Sequence, residues 1–190
     1  MNNFIINDWE LTIGLEVHIQ LSTKTKMFCK CPSTYGAIPN SLTCPICLAM
    51  PGALPMINEK AINMAIKLGH ALNFNINKEN TFARKNYYYP DLPKGYQISQ
   101  FDKPICENGY LEMNNNNKKY KIGITRAHLE EDSGKLIHHS NNFSFIDLNR
   151  AGCPLIEIVS EPDMHSSEEA KLYLERLKQI IKYINISDCN

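Results

Sequence analysis

The sequence lacks a long apolar run, a net charge and the glycine-rich motifs of the common nucleotide-binding folds. No stretch approaches the roughly 20 apolar residues that a membrane-spanning helix needs. The 20 basic and 20 acidic side chains cancel, so the overall charge does not indicate a nucleic-acid partner. Neither Gly-x-x-x-x-Gly-Lys nor Gly-x-Gly-x-x-Gly occurs, which argues against a P-loop or Rossmann site. The Gly-x-Ser-x-Gly elbow of serine hydrolases is missing too.

Targeting signals are also missing from the N-terminal segment. Residues 1–10 have neither the basic stretch and apolar core of a signal peptide nor the arginine-rich composition of a transit peptide. A chain of 190 residues is long enough for one domain with a hydrophobic core. We therefore expect a single cytoplasmic domain with no membrane partner, from a bacterium, and an organelle stays open as the alternative.

Four of the seven cysteines cluster in a loop spanning residues 27–50. Cys29 and Cys31 are separated from Cys44 and Cys47 by twelve residues that are rich in Pro, Gly, Ser and Asn. A Cys-x-x-Cys turn presents two thiolates to one zinc ion, and four thiolates complete a tetrahedron. The pattern predicts a structural zinc site, although the first pair is one residue shorter than the usual knuckle. Four free thiols, or a redox role for the second pair, are the alternatives.

Residues 11–20 alternate between apolar and polar side chains, as a half-buried β-strand does. Glu16 and His18 fall on the polar face, about 6.6 Å apart along the backbone. Two such side chains can converge on one metal ion or one phosphate. The plain alternative is a solvated polar face that carries a histidine by chance.

Two later segments also place charged residues at every second position. Arg126, His128 and Glu130 alternate with apolar residues in the first, and Glu157 lies within the second, residues 154–160. Carboxylates this close together are costly unless a cation balances them. Mg²⁺ is usually held by one or two carboxylates plus substrate phosphates. We interpret the three strands as one polar, metal- and phosphate-binding face of an α+β protein.

Residues 82–100 combine aromatic, basic and turn-forming side chains. Arg84, Lys85 and Lys94 can hold phosphates, and Tyr87 with its two tyrosine neighbours offers a stacking surface for a base or ribose. An ordinary edge strand and loop with solvated charges is an equally weighted alternative.

Two helices and a hairpin complete the predicted elements. Asn58 is expected to cap a helix that runs to about Leu72. Ser166 opens a capping box for a second helix, whose predicted core-facing residues are Ala170, Leu174, Leu177, Ile181 and Ile184.

The predicted hairpin pairs residues 105–113 with 120–125 and turns at the asparagine run, residues 114–117. A further short strand is expected at residues 143–149. These elements favour a mainly antiparallel sheet with packed helices.

Four motifs resemble the B subunit of the glutamyl/aspartyl-tRNA amidotransferase. They are residues 14–18 (GLEVH), 84–100 (RKNYYYPDLPKGYQISQ), 128–135 (HLEEDSGK) and 149–163 (NRAGCPLIEIVSEPD). The similarity extends from about Trp9 to Asn190, which is nearly the whole chain.

The resemblance implies a cradle with the fold of glutamine synthetase and guanido kinases, and residues 1–190 would form its N-terminal part. The helical and tail domains of the family would be absent. Such a cradle binds ATP, Mg²⁺ and the end of a misacylated tRNA, and phosphorylates the side-chain carboxylate of tRNA-bound Glu or Asp. Ammonia that the amidase partner releases from glutamine then gives Gln-tRNA(Gln) or Asn-tRNA(Asn), and a third, small partner helps hold the amidase and the cradle together. A truncated, non-catalytic zinc-stapled fragment that binds tRNA or these partners is the alternative.

The resemblance also implies roles for individual residues. The residues expected to be catalytic and to bind Mg²⁺ are Glu16, His18, Glu130 and Glu157. Glu131 and Asp132 are expected as secondary helpers. Those expected to hold ATP, substrate or tRNA are Arg84, Lys85, Tyr87, Lys94, Arg126, His128, Lys135, Asn149 and Arg150. Some family members carry a four-cysteine zinc site, and its expected ligands here are Cys29, Cys31, Cys44 and Cys47.

Overall fold

A computed structural model describes residues 5–6, 8–115, 118–139 and 143–189. Within these residues the chain forms eleven strands and two helices. The strands are β1 (Ile5–Ile6), β2 (Trp9–Glu10), β3 (Glu16–Gln20), β4 (Asn75–Ile76), β5 (Ala83–Asn86), β6 (Tyr96–Ser99), β7 (Cys106–Asn115), β8 (Lys118–Glu131), β9 (Lys135–His138), β10 (Ser144–Asp147) and β11 (Pro154–Ser160). The helices are α1 (Glu59–Ala71) and α2 (Ser167–Tyr183). The predicted α+β class is confirmed.

A five-stranded antiparallel sheet forms the centre of the fold, in the order β3-β11-β8-β7-β4. Three further antiparallel pairs, β1–β2, β5–β6 and β9–β10, lie outside it within the described residues. The predicted mainly antiparallel sheet is therefore confirmed.

Both helices pack against the central sheet and share one hydrophobic core with it. Ile122 of β8 and Ile156 and Ile158 of β11 are fully buried in that core, with Leu68 of α1 and Tyr173 of α2. Burying one such aliphatic side chain contributes roughly 1.5–3 kcal/mol. The helices thus cover one face of the sheet, and the alternate side chains of its strands point to the other face.

That other face carries a row of polar residues. Glu157 of β11 lies directly opposite His18 of β3 on one side and His128 of β8 on the other. Since paired residues of antiparallel strands point to the same face, the register alone brings these three side chains together.

Strand β6 covers the end of β8, where β7 no longer pairs. The Gln97 side chain donates a hydrogen bond to the Glu131 carbonyl (2.7 Å), and the Gln100 side chain accepts one from the Leu129 amide (3.1 Å). Buried backbone groups need such partners, so the two glutamines replace a neighbouring strand.

Strand β8 contains two segments that the sequence predicts separately, and an irregularity at Thr125 lies where they meet. In the pairing with β11, consecutive residues Val159 and Ser160 lie opposite Arg126 and Ile124, so Thr125 is left out, whereas the register with β7 is unchanged. The core-facing Ile124 and Ala127 are consequently three residues apart. A bulge of this kind reverses the alternation, and residues 120–131 belong to one continuous strand.

Helix α1 forms as predicted, with Asn58 at its N-cap. The Asn58 carboxamide oxygen accepts a hydrogen bond from the Lys60 amide (2.9 Å). Its side-chain nitrogen donates to the carbonyls of Thr25 (3.1 Å) and Lys26 (3.3 Å), and its backbone amide donates to the Met27 carbonyl (2.9 Å), which ties the helix start to the cysteine loop. Neither helix of the described residues has the length and apolar character needed to cross a membrane.

Helix α2 begins at the predicted cap, and Leu177 and Ile181 of its predicted apolar stripe are buried, but Leu174 is not. Ser166 accepts a hydrogen bond from the Glu169 amide (3.2 Å), while the Glu169 carboxylate accepts one from the His165 amide (2.7 Å). Leu174 is 42% exposed, so its predicted place in the core is wrong, and the fully buried Tyr173 takes that place.

Several predicted strand boundaries also differ. The strand predicted at residues 11–20 begins only at Glu16, and Ile13 forms an isolated bridge with Met164. The strand predicted at 143–149 is the shorter β10, and its partner β9 was not predicted. The tip of the asparagine turn, residues 116–117, lies outside the described residues.

Candidate metal centres

Three side chains from three adjacent strands form a first candidate centre. His18 Nε2 lies 3.0 Å from Glu130 Oε1 and 3.1 Å from Glu157 Oε2. One ligand atom from each of these residues lies within 4.8 Å of the others. The predicted convergence of the three polar strand faces is observed here.

The two carboxylates of this centre are buried, and the imidazole is at its rim. The exposed fractions are 1% for Glu130 and 5% for Glu157, whereas half of the His18 side chain is exposed. The buried His128 lies behind them, with Nε2 3.7 Å from an oxygen of each carboxylate. Burial by itself raises the pKa of Glu130, but His128, His18 and Lys85 outweigh it and lower that pKa. Glu130 is therefore ionised at neutral pH.

The donor set fits a divalent cation with oxygen ligands. Glu130 Oε1 is buried and makes no hydrogen bond within the described residues, although His18 Nε2 lies 3.0 Å away. A buried ionised oxygen without a hydrogen bond costs free energy, and a cation between the two carboxylates would remove that cost. Carboxylates, together with water and substrate phosphates, are the usual ligands of Mg²⁺.

Glu16, the fourth predicted Mg²⁺ ligand, is not part of this group. It is exposed, pairs with Val159 across the sheet, and lies two residues before His18 on the same face. The structure therefore brings three of the four predicted ligands together.

The four clustered cysteines form a second candidate centre. Their sulfur atoms lie within 4.8 Å of one another, and the Sγ atoms of Cys44 and Cys47 are 3.8 Å apart. With zinc–sulfur bonds of about 2.3 Å, a regular tetrahedron requires sulfur atoms about 3.8 Å apart. All seven cysteines, within the described residues, are free thiols. The predicted ligands thus fit a tetrahedral zinc ion.

The thiols of this centre differ in acidity because they share hydrogen bonds. A hydrogen bond from Cys29 lowers the pKa of Cys47 to about 4, with help from the Cys44 amide and the charge of Lys26. The same contact and burial raise the pKa of Cys29. Burial, followed by a hydrogen bond with Cys44, raises the pKa of Cys31 to about 11. Cys47 is consequently the thiol that ionises first.

Polar side chains tie the cysteine loop to the body of the fold. The Asn149 carboxamide accepts a hydrogen bond from the Leu42 amide and donates one to the Ile38 carbonyl, both 2.8 Å long. Arg150 donates to the carbonyls of Ser133 (3.1 Å) and Gly134 (2.6 Å). Both residues, which were predicted to bind ligand, hold loops in place in this structure.

The sequence model of one family, the GatB/GatE catalytic domain, matches residues 11–190. The chain belongs to this family. Similar proteins, each named as the B subunit of aspartyl/glutamyl-tRNA(Asn/Gln) amidotransferase, occur in Campylobacter jejuni subsp. doylei (61% identity over 182 residues), Persephonella marina (56% over 183) and Syntrophotalea carbinolica (57% over 182). These alignments cover 96% of the chain, which spans 38% of the length of the relatives. The resemblance inferred from the motifs is confirmed.

Within this GatB/GatE catalytic domain, two further predicted residues lie near the first centre. The charge of the exposed Lys85 lowers the pKa of Glu130, which places the ammonium on that side of the domain. Burial, together with the charges of Asp91 and Glu130, raises the pKa of Tyr87. Both residues are available to a ligand that approaches the carboxylates from β5.

Of three other residues predicted to bind ligand, two lie close to aromatic rings and one is exposed on β9. The Arg84 guanidinium lies 5.2 Å from the Tyr96 ring centre, and that of Arg126 lies 5.5 Å from the Phe101 ring centre. Arg126 Nε is buried without a hydrogen-bond partner among the described residues. Lys135 is exposed on β9.

Lys94, which was predicted to hold a phosphate, forms an ion pair with a buried acid in this structure. Its ammonium lies 2.6 Å from Glu131 Oε2, and the other oxygen of this carboxylate accepts a hydrogen bond from the Ile98 amide (3.0 Å). Only 12% of the Lys94 side chain is exposed.

The sequence prediction missed two buried polar residues beside the centres. Ser99 Oγ lies 3.4 Å from Glu130 Oε2, at the back of the first centre. Lys26 is fully buried next to the second centre, at the end of the polar segment of residues 22–26. No periodicity in that segment distinguishes Lys26 from the exposed Lys24.

Proposed function

We propose that this domain is the ATP-dependent phosphorylating part of a tRNA amidotransferase. It phosphorylates the side-chain carboxylate of Glu on tRNA(Gln) or Asp on tRNA(Asn), and ammonia from glutamine then displaces the phosphate to give Gln-tRNA(Gln) or Asn-tRNA(Asn). The observation that carries this proposal is the His18–Glu130–Glu157 group, found in a chain that is similar to proteins named for this amidotransferase.

The reaction explains why a metal and cations are needed in the first centre. A carboxylate does not react usefully with ammonia, because oxide would have to leave, whereas phosphate is a good leaving group. A bound Mg²⁺ supplies neutralisation of the phosphoryl charge. Glu130 and Glu157 would hold this ion from the floor of the site, His18 from the rim, and Glu16 through the ion's outer ligands. Lys85 and Arg84, on β5, would position phosphate groups.

The cysteine centre has a structural role in this proposal. Four protein ligands leave a zinc ion no open position for substrate, which excludes the coordination that catalytic zinc uses. The ion would hold the cysteine loop against α1 and β10, where Asn58 and Asn149 already provide hydrogen bonds.

The proposal also covers the larger fold, the partner molecules and the cellular compartment of the domain. Residues 1–190 would be the N-terminal part of a cradle of the glutamine synthetase and guanido kinase type. Its partners would be the amidase and small subunits of the amidotransferase and the misacylated tRNA, in the bacterial cytoplasm. Relatives named as the B subunit support this setting.

Reconstitution tests the proposal directly. The chain is mixed with the amidase and small subunits of a relative, Glu-tRNA(Gln), glutamine, ATP and Mg²⁺, and Gln-tRNA(Gln) is measured. We expect Mg²⁺-dependent product. Glu130→Gln should lower the rate at least about a hundredfold, since a catalytic metal contributes several kcal/mol. Glu112→Gln, at an exposed carboxylate of β7, is the matched control and should retain the rate.

Two results would contradict parts of the proposal. An unchanged rate in the Glu130→Gln variant would overturn the site. Normal binding of tRNA and the partner proteins without product, while a full-length relative is active in the same mixture, would favour a non-catalytic binding module.

A further inference from the structure

Lys26 is a buried cation that the proposed reaction does not use. None of its surface is exposed, and its ammonium donates a hydrogen bond of 3.3 Å to the Leu148 carbonyl. Among the residues that the structure describes, no carboxylate lies within salt-bridge distance of this ammonium. A buried ammonium is costly unless an anion is near. The fold must therefore provide a different negative group.

The neighbours of Lys26 identify that group. A Cβ placed on Gly152 would lie 3.6 Å from Lys26 Cδ, 3.8 Å from Cys47 Cβ and 3.8 Å from Glu131 Oε2, so these side chains converge on one glycine. The Glu131 carboxylate already forms an ion pair with Lys94. The backbone also holds Lys26 at the loop, since its amide donates to the Cys31 carbonyl (3.0 Å). The cysteine cluster is the remaining source of negative charge.

The charge of a loaded cysteine centre matches this need. Four thiolates around one Zn²⁺ carry a net charge of −2, half-buried in protein. Lys30 lies between two of the ligands, but it is exposed and its charge is screened by water. The charge of Lys26, in contrast, acts on the thiols of both Cys47 and Cys153 from inside the fold.

We propose that the Lys26 ammonium is the built-in counter-charge of the four-cysteine centre, a positioning residue that stabilises the metal-bound thiolates. The inference rests on the zinc centre of the proposed function, and it concerns metal retention, not the amidation reaction. It also explains why a lysine without a carboxylate partner is kept in the interior.

Zinc affinity is the first measurement. The variant Lys26→Met keeps the length of the side chain and removes the charge, and Lys30→Met removes the same charge from an exposed position next to the ligands. Zinc dissociation constants of the 190-residue chain are measured by competition with a chromophoric chelator. We expect Lys26→Met to weaken zinc binding about 10- to 100-fold, as loss of groups around a metal's ligands does. Lys30→Met should stay within about threefold of the parent chain, because exposed charge contributes little.

Thermal unfolding with and without zinc separates this role from simple packing. In metal-free protein the ammonium faces only the thiolate of Cys47, so Lys26→Met should change the midpoint less there than in zinc-loaded protein, where four thiolates surround the ion. The rise in midpoint on adding zinc should be smaller in Lys26→Met than in the parent chain. A residue that only fills space would lower both midpoints in parallel.

The possible outcomes test the counter-charge and the zinc centre separately. Equal zinc affinity of Lys26→Met and the parent chain would overturn the counter-charge and leave the zinc centre intact. A parallel loss of stability with and without zinc would also overturn it, in favour of packing. If the parent chain binds no zinc, the centre itself fails, and the inference fails with it.

Discussion

Glu130 and Glu131 are neighbours in sequence and equally buried, yet they have opposite electrostatic environments. Each is 1% exposed. Burial raises the pKa of both, but His128, His18 and Lys85 outweigh it and lower the pKa of Glu130. For Glu131, the contacts with Lys94 and the Ile98 amide do not outweigh burial, and the pKa stays raised. Since side chains alternate along a strand, one carboxylate faces the first centre and the other faces β6.

The Lys94–Glu131 pair should be important for stability. Lys94→Met removes the cation from a carboxylate that is 2% exposed, and breaking a buried pair typically costs about 3–5 kcal/mol. We expect a loss of that size in the free energy of unfolding, measured by urea denaturation. The double variant Lys94→Met/Glu131→Gln should recover most of it, because no unpaired charge is then buried.

The matched control for this pair lies on the hairpin of β7 and β8. Lys121 and Glu112 are 4.0 Å apart and more than half exposed, so Lys121→Met should cost less than about 1 kcal/mol. If Lys94→Met costs no more than Lys121→Met, the pair is not a buried one in solution.

The sequence predicted which strand faces converge at the first centre but not the burial of their side chains. The alternation around His18 and Glu130 correctly indicated one shared polar face. It could not indicate that Lys94 is paired with Glu131, or that Asn149 holds the cysteine loop, because those contacts join segments that are 37 and 107 residues apart. No local sequence pattern identifies contact partners that are so far apart in the chain.

At the scale of elements, the central strands show where alternation fails as a guide. The sequence predicts an acidic face on β11, but it does not show that six of the seven residues of this strand are buried. The strand lies between the helices on one face and the first centre on the other, so both faces are covered. The bulge at Thr125 similarly interrupts the alternation of β8, and only the shifted pairing with β11 reveals it.

Helix starts were predicted well because their signals are local. Asn58 and Ser166 each accept a backbone hydrogen bond within the first turn of their helix. Within α2 the prediction fails only at Leu174, which is 42% exposed, while its neighbour Tyr173 is fully buried. Both residues are apolar enough for the core, so the sequence alone could not choose between them.

Zinc removal should loosen the cysteine loop while leaving the central sheet intact. Residues 32–43, between the two cysteine pairs, contain bends and turns and no buried residue, so the metal replaces a core there. We expect chelation to accelerate amide hydrogen exchange in this loop and in the first turn of α1, which Asn58 links to it. Zinc at a thousand times its dissociation constant should stabilise the fold by about 4 kcal/mol.

The control for this experiment is a cysteine outside the cluster. Cys189→Ser should leave zinc content and loop exchange unchanged, whereas Cys47→Ser should reproduce the effect of the chelator. Slow exchange of residues 27–50 after complete removal of zinc would show that the loop is ordered by its protein contacts alone.

At the scale of the whole molecule, a formal net charge of zero conceals an uneven distribution of acids. Four carboxylates, those of Glu130, Glu131, Asp132 and Glu157, lie buried or half-buried around the end of β8. The stability of the metal-free domain should therefore depend on pH in a way that composition alone does not predict.

Asp132 makes the largest contribution to that dependence. Burial raises its pKa from 3.8 to about 6, although Arg150 and the Ser133 amide oppose the shift. The folded protein therefore binds a proton at Asp132 more tightly than the unfolded chain does. This group does not lower the free energy of unfolding below about pH 3.8, and it lowers it progressively as the pH rises from 3.8 through about 6. Glu131, whose pKa is also raised, likewise lowers the stability of the folded domain as the pH rises. Glu130 acts in the opposite direction, because its lowered pKa adds stability above pH 4.5.

Comparison with Asp132→Asn isolates the contribution of this group in metal-free protein. The free energy of unfolding should be similar for variant and parent chain near pH 3.5, and the variant should become more stable by up to about 3 kcal/mol at pH 7. Asp102→Asn, at an exposed position, should follow the parent chain throughout. Urea denaturation between pH 3.5 and 7.5 measures the difference. A constant difference across this range would show that Asp132 titrates alike in the folded and unfolded chain. Adding Mg²⁺ should narrow the gap at pH 7 if the ion's charge reaches this carboxylate from the first centre, because a nearby cation favours the ionised form.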